Sequence, residues 1–106
     1  MLLTDEKIQW FWGQCGLVKI KRGWKLPNGD VLLDIDPPID PNNLFKYAVL
    51  KLEYVSLTKH IDEDNGSIWF EANAGRYLFD ALYQEEHNTD PALALFWAIY
   101  KAFGGK

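Results

Sequence analysis

Cysteine is nearly missing from this sequence. Cys15 is the single one among 106 residues, so no internal disulfide can form and a reducing compartment is expected. No apolar run approaches the ~20 residues that a membrane-spanning helix needs. The opening Met1-Leu2-Leu3-Thr4-Asp5-Glu6 lacks the basic start and long apolar stretch of a secretory signal, so a soluble, cytoplasmic protein without a membrane partner is expected. Excess positive charge is also absent: the formal net charge is −4 and the pI is near 5.0, which argues against direct nucleic-acid binding and against an anionic membrane.

Chemistry-bearing constellations are equally scarce. His60 and His87 lie far apart in the chain, form no pair at helical spacing and have no cysteine nearby, so no metal site is expected. Cys15, between Gly13-Gln14 and Gly16-Leu17, has no adjacent histidine to activate it and reads as a small buried residue at a helix end. Asp62-Glu63-Asp64-Asn65-Gly66 resembles the start of a calcium loop. Its glycine, however, comes one position too early, and Asn73 stands where a closing glutamate is required, so the segment reads as a solvated hairpin tip. Gly13-Gln14-Cys15-Gly16 lacks the Lys-Ser/Thr ending of a phosphate loop, and Glu85-Glu86 with Asp80 and Asp90 reads as a solvated helix end. No catalytic residue, cofactor or metal can be assembled, and a non-enzymatic protein is expected.

What the sequence does contain is a core. It is 48% apolar and 15% aromatic, enough for one domain over residues 1–106. Its 16 aromatic rings, including Trp10, Trp12, Trp24, Trp69 and Trp97, exceed what so small a core can bury, so some are expected at the surface as contact candidates. Thr4 with Asp5 and Glu6 predicts a capped helix over residues 5–12 that stops at Gly13 or Gly16. A period of two from Leu17 to Lys21, then Pro27-Asn28-Gly29, then Val31 to Ile35, predicts a hairpin. Pro37-Pro38 cannot continue a central strand. Asp40-Pro41 and Asp90-Pro91 each precede an apolar run of helical period, and both predict helix starts: the aspartate caps and the proline fits the first turn. The second of these helices spans residues 91–103, with Leu95 outside its apolar arc. Residues 54–61 and 67–72 predict a second hairpin, and residues 75–86 suit a short helix through Leu78, Ala81, Leu82 and Glu85, with a strand at Tyr77-Leu78-Phe79 as the alternative. The sum is an α+β domain on an antiparallel sheet of about four strands, with helices on both faces as a three-layer α/β/α sandwich.

Acidic residues are segregated. Residues 26–45 hold four acids and no base, and residues 61–90 hold eight acids and one arginine. Asp34, Asp36 and Asp40, with Asp62, Glu63 and Asp64, would form an acidic face suited to a basic protein surface, with Trp24 and Trp69 as the contact rings.

The short first helix, Trp24-Lys25-Leu26-Pro27-Asn28-Gly29-Asp30, the Pro37-Pro38 connector, Asn42-Asn43-Leu44-Phe45-Lys46-Tyr47-Ala48-Val49, and Thr89-Asp90-Pro91-Ala92-Leu93-Ala94-Leu95-Phe96-Trp97-Ala98-Ile99 together resemble the small phage proteins of the phage ABA-sandwich domain family. The resemblance implies the three-layer fold and a phage or prophage origin, and it carries over no functional residue. A phage-encoded interaction protein is the resulting expectation, most concretely an anti-CRISPR or other inhibitor of a bacterial defence protein, acting in the host cytoplasm on a host protein. The alternative is a small-ligand binder that sequesters a nucleotide signal, with tryptophans stacking on the base and Lys19, Lys21, Arg22 and Lys25 meeting the phosphates.

Overall fold

Thr4 opens the first helix as the acids after it suggest: its hydroxyl accepts from the Lys7 amide at 3.3 Å, and α1 runs Asp5–Gln14. Phe11 and Trp12 point into the protein, and the chain turns out at Cys15 and Gly16. The computed structural model describes residues 2–76 and 83–106.

The first hairpin folds differently from its expected form. Residues 17–25 break at Lys21 and Arg22 into two strands, β1 (Val18–Ile20) and β2 (Gly23–Lys25), and β3 (Val31–Leu33) pairs with β2. The Asn28-Gly29 turn is where the sequence places it: Gly29 has φ +94° and Asn28 Oδ1 accepts from the Asp30 amide at 2.9 Å. The expected sheet of about four strands is thus replaced, among the described residues, by two antiparallel sheets of three, β1-β2-β3 and β4-β5-β6. The separation has a local cause. Asp34 leaves β3 at φ 67°, and Pro37 and Pro38 have no amide to donate, so the ladder cannot pass on to the second hairpin.

After the connector, Asp40 caps α2 (Pro41–Asn43) by accepting from the Asn43 amide at 2.8 Å. The helix continues as a π turn over Leu44–Ala48 and a 3₁₀ turn over Val49–Lys51 in place of one regular helix. The wider turn keeps Leu44 and Ala48 inside and leaves Phe45 and Leu50 exposed.

The second sheet consists of β4 (Tyr54–Ile61), β5 (Ile68–Gly75) and β6 (Gln84–Asn88). The tip between β4 and β5 is the solvated turn its composition predicts, with Asp62 Oδ1 accepting from the Asp64 amide at 2.8 Å. The expected helix over residues 75–86 is corrected where the chain is described: Gln84 to Glu86 are strand, and residues 77–82 lie outside the described residues. Nothing apolar marks this strand. Its backbone pairs with β5, and its inward-facing Glu86 forms an ion pair with Lys101 on the last helix.

That helix, α3 (Pro91–Ala102), lies at the centre of the buried cluster. It packs on one face of the second sheet against Ala72 and Ala74, and its Phe96 meets Phe11 of α1 at 4.5 Å between ring centroids. Leu95 is fully buried rather than outside the apolar arc, because α3 has neighbours nearly all round. The opposite sheet face carries polar side chains that reach solvent, so a three-layer arrangement is not seen among the described residues. Arg76 ties the end of β5 to the end of α3, donating from Nε to the Ala102 carbonyl at 3.1 Å and from Nη2 to that of Phe103 at 2.7 Å. These are carbonyls a helix terminus otherwise leaves unpaired.

At the other end, Asp90 Oδ1 accepts from the amides of Ala92 and Leu93 at 2.8 and 3.4 Å. Asp90→Ala is expected to lower stability by about 0.5–2 kcal/mol. An unchanged urea midpoint would show that the cap contributes nothing.

Candidate functional site

Of the residues the sequence offered as an acidic contact face, three sit on the connector and each bonds within the protein. Asp34 pairs with Arg22 (Nη2 to Oδ2, 3.2 Å), Asp36 accepts the Trp24 indole N–H at 2.7 Å, and Asp40 caps α2. Trp24 is only 1% exposed, so it is a core residue and not the surface ring expected from the sequence. Asp62, Glu63 and Asp64 stay together at the β4–β5 tip, where Glu63 and Asp64 are exposed. Trp69 is half-buried on the neighbouring strand surface. The bonds of the connector run to β1–β2 and its own helix, those of the tip run within itself, and no bond joins the two groups.

Three of the four basic residues of the nucleotide alternative, Lys19, Lys21 and Arg22, line a shallow cavity of about 310 Å³ together with Gln9, Asp34 and Asp36, and Lys25 is not among its lining residues. Two carboxylates in the same cavity oppose a phosphate, Arg22 is already paired, and the ring of Trp24 is closed off from any base. Cys15 is fully buried near Tyr47 and Lys51, and burial pushes its thiol up to about 12 against the lowering influence of Lys51. At neutral pH it is a protonated, enclosed thiol, as a packing residue should be.

Two surfaces emerge that the sequence did not single out. On the first sheet, register aligns Val18, Lys25 and Val31 in one row and Ile20, Gly23 and Leu33 in the next, while Lys19, Trp24 and Leu32 face the other way. Trp24 is the buried member of that second set, so the first two rows form the outer face. Val18, Val31 and Leu33 on it are 57%, 51% and 56% exposed. A three-stranded sheet of three-residue strands has its core on one side only. Val31-Leu32-Leu33 is apolar throughout, so the sequence did not show which face would be covered.

On the second sheet, the face away from α3 brings together His60, Trp69, Glu71, Glu85 and His87. The β4–β5 ladder places His60 opposite Trp69, and the β5–β6 ladder places Glu71 opposite His87. Trp69 holds both imidazoles, one stacked at 4.0 Å and 8°, the other tilted at 4.9 Å and 32°. The histidines far apart in sequence therefore share one partner ring and one carboxylate, Glu71. The turn at Asn65-Gly66 could have suggested the first pairing, but nothing local signals β6.

No helix among the described residues is long and apolar enough to cross a membrane. No protein-family model matches the chain, and no curated protein or solved structure matches it either.

Proposed function

We propose that the protein is a non-enzymatic interaction protein that docks onto another protein through the outer face of its first sheet. The observation that supports this is the alignment of Val18, Val31 and Leu33, each more than half exposed, on one small sheet face. Scattered exposed apolar residues are ordinary, whereas several on one sheet face mark a contact candidate; here Val31 and Leu33 neighbour each other on β3 and Val18 stands across Lys25 from Val31. Lys25 stands within it and Lys21 and Arg22 border it at the β1–β2 turn. A partner with an apolar centre and acidic fringe fits this surface. A second copy of the chain fits it poorly, since stacking two such faces brings their cations together.

The resemblance to phage ABA-sandwich proteins supplies the class of partner: a host bacterial protein, with inhibition of a CRISPR effector or another defence component as the concrete role. The acidic tip Asp62, Glu63 and Asp64 is a secondary contact in this reading and would meet a basic patch. The nucleotide-sequestering alternative has the mixed-charge cavity and the burial of Trp24 against it.

The test is capture of the partner from a bacterial lysate with the full chain, followed by affinity measurement on the purified pair. Val31→Glu and Leu33→Glu are expected to weaken binding at least tenfold, which corresponds to about 1.4 kcal/mol. Stability should change by no more than about 0.5 kcal/mol, because both side chains are exposed. Replacing Asp62, Glu63 and Asp64 by their amides should mainly slow association. Affinity unchanged in both strand variants would place the contact elsewhere.

A further inference from the structure

We propose that Glu71, Glu85 and His87 form a binding site for a divalent transition-metal ion of the zinc class on the open face of the second sheet, with His60 bordering it beside Glu71. The ligand atoms of Glu71, Glu85 and His87 lie within 4.8 Å of one another. Glu71 Oε1 stands 3.6 Å from His60 Nε2 and 3.7 Å from His87 Nε2, and His87 Nε2 stands 3.6 Å from Glu85 Oε1. Each of these separations is too long for a hydrogen bond. They approach the spacing of neighbouring ligands around one tetrahedral ion, roughly 3.3 Å for metal–ligand bonds of about 2.0–2.1 Å. Rotation of the half-exposed Glu85 and His87 side chains would bring the three donors of Glu71, Glu85 and His87 to that spacing.

Three further observations point the same way. His60 Nε2 is shielded from solvent and has no hydrogen-bond partner, an arrangement that costs free energy unless something accepts its lone pair or its proton. Asn73 Nδ2 donates to Glu71 Oε2 at 2.9 Å, which fixes that carboxylate and leaves Oε1 directed at both imidazoles. Such outer bonds orient ligands in metal sites. The Trp69 ring between the two imidazoles restricts their rotation, so less freedom is lost on coordination. Glu85 and His87 are about half exposed, so an ion can enter from solvent and retain water. An imidazole beside two carboxylates favours zinc, nickel or copper(II) over calcium or magnesium, whose preferred donors are all oxygen.

This site is independent of the first-sheet docking face. It is tested on the full chain, free of any affinity tag, by calorimetric titration with zinc chloride and separately with nickel chloride. One saturable equivalent is expected. Glu71→Gln and His87→Asn are each expected to weaken it at least tenfold, with unchanged far-ultraviolet circular dichroism as evidence of folding. Visible absorption of added cobalt(II) gives a second readout, since coordination by nitrogen and carboxylate oxygen alters its d–d bands, and these changes should vanish in His87→Asn. Absence of saturable uptake overturns the proposal. So does uptake that survives Glu71→Gln and His87→Asn, or that disappears only when Asp62, Glu63 and Asp64 are replaced.

Discussion

Trp24→Ala is expected to destabilise the protein by about 3–5 kcal/mol, the range for removing a large aromatic ring from a packed interior. Trp24 sits at the middle of the central strand of the first sheet, opposite Lys19 on one side and Leu32 on the other. It is 1% exposed, its indole N–H donates to Asp36 Oδ1, and the Lys19 ammonium lies 5.3 Å from its ring. The alanine variant leaves a cavity, a carboxylate without its donor and a lysine stem without its packing surface. Total stability in small domains is about 5–15 kcal/mol, so the variant should approach the unfolding threshold at physiological temperature. Urea titrations should show a large fall in midpoint, and Trp24→Phe should fall between the two by keeping most of the packing. A change under about 0.5 kcal/mol would restore Trp24 to the surface role suggested by composition alone.

Gly23→Ala is expected to be comparably damaging, for a backbone reason. Gly23 adopts φ +145°, and a Cβ built there would stand 1.9 Å from the Leu32 carbonyl oxygen and 2.9 Å from the Leu33 Cα. Both obstacles are main-chain atoms of the partner strand, so no side-chain rotation relieves them. Strain in a disfavoured backbone region alone costs on the order of 1–3 kcal/mol, and separating β2 from β3 adds the loss of their ladder. The measurement is the denaturation midpoint beside Gly29→Ala, which shares a positive φ but has no atom within 4 Å of its Cβ position. Gly29→Ala should cost the conformational strain only. Equal effects in the two variants would show that the close approach to Leu32 is not what demands glycine.

Legibility of the fold followed the range of the forces involved. The two Asp-Pro caps, the Thr4 cap, the Asn28-Gly29 turn and the Asp62 tip were readable because each is satisfied within three or four residues. The break at Lys21 and Arg22 was not, since it depends on Gly23 passing close under another strand. Strand β6 was not either: Gln84-Glu85-Glu86-His87-Asn88 has no apolar alternation, and its conformation is imposed by pairing with β5 and by Lys101. Leu95 lay outside the apolar arc of α3 but is buried, because a pattern reports one interface while this helix has several.

The candidate sites divide in the same way. Sequence by itself determined the helix caps, the turn positions, the acidic segregation and the presence of unusually many aromatic rings, all properties of composition or of local hydrogen bonding. Only the tertiary structure decided that Trp24 is enclosed, that Asp34 and Asp36 meet internal partners, and that Val18, Val31 and Leu33 remain open. It alone brought His60 and His87 to one carboxylate, across strands separated by a hairpin and by the chain leading into β6. The reason is that a side chain's environment in a sheet is set by register and by which face another layer covers. Both are fixed by contacts between distant segments, and neither is encoded in the spacing of the residues concerned.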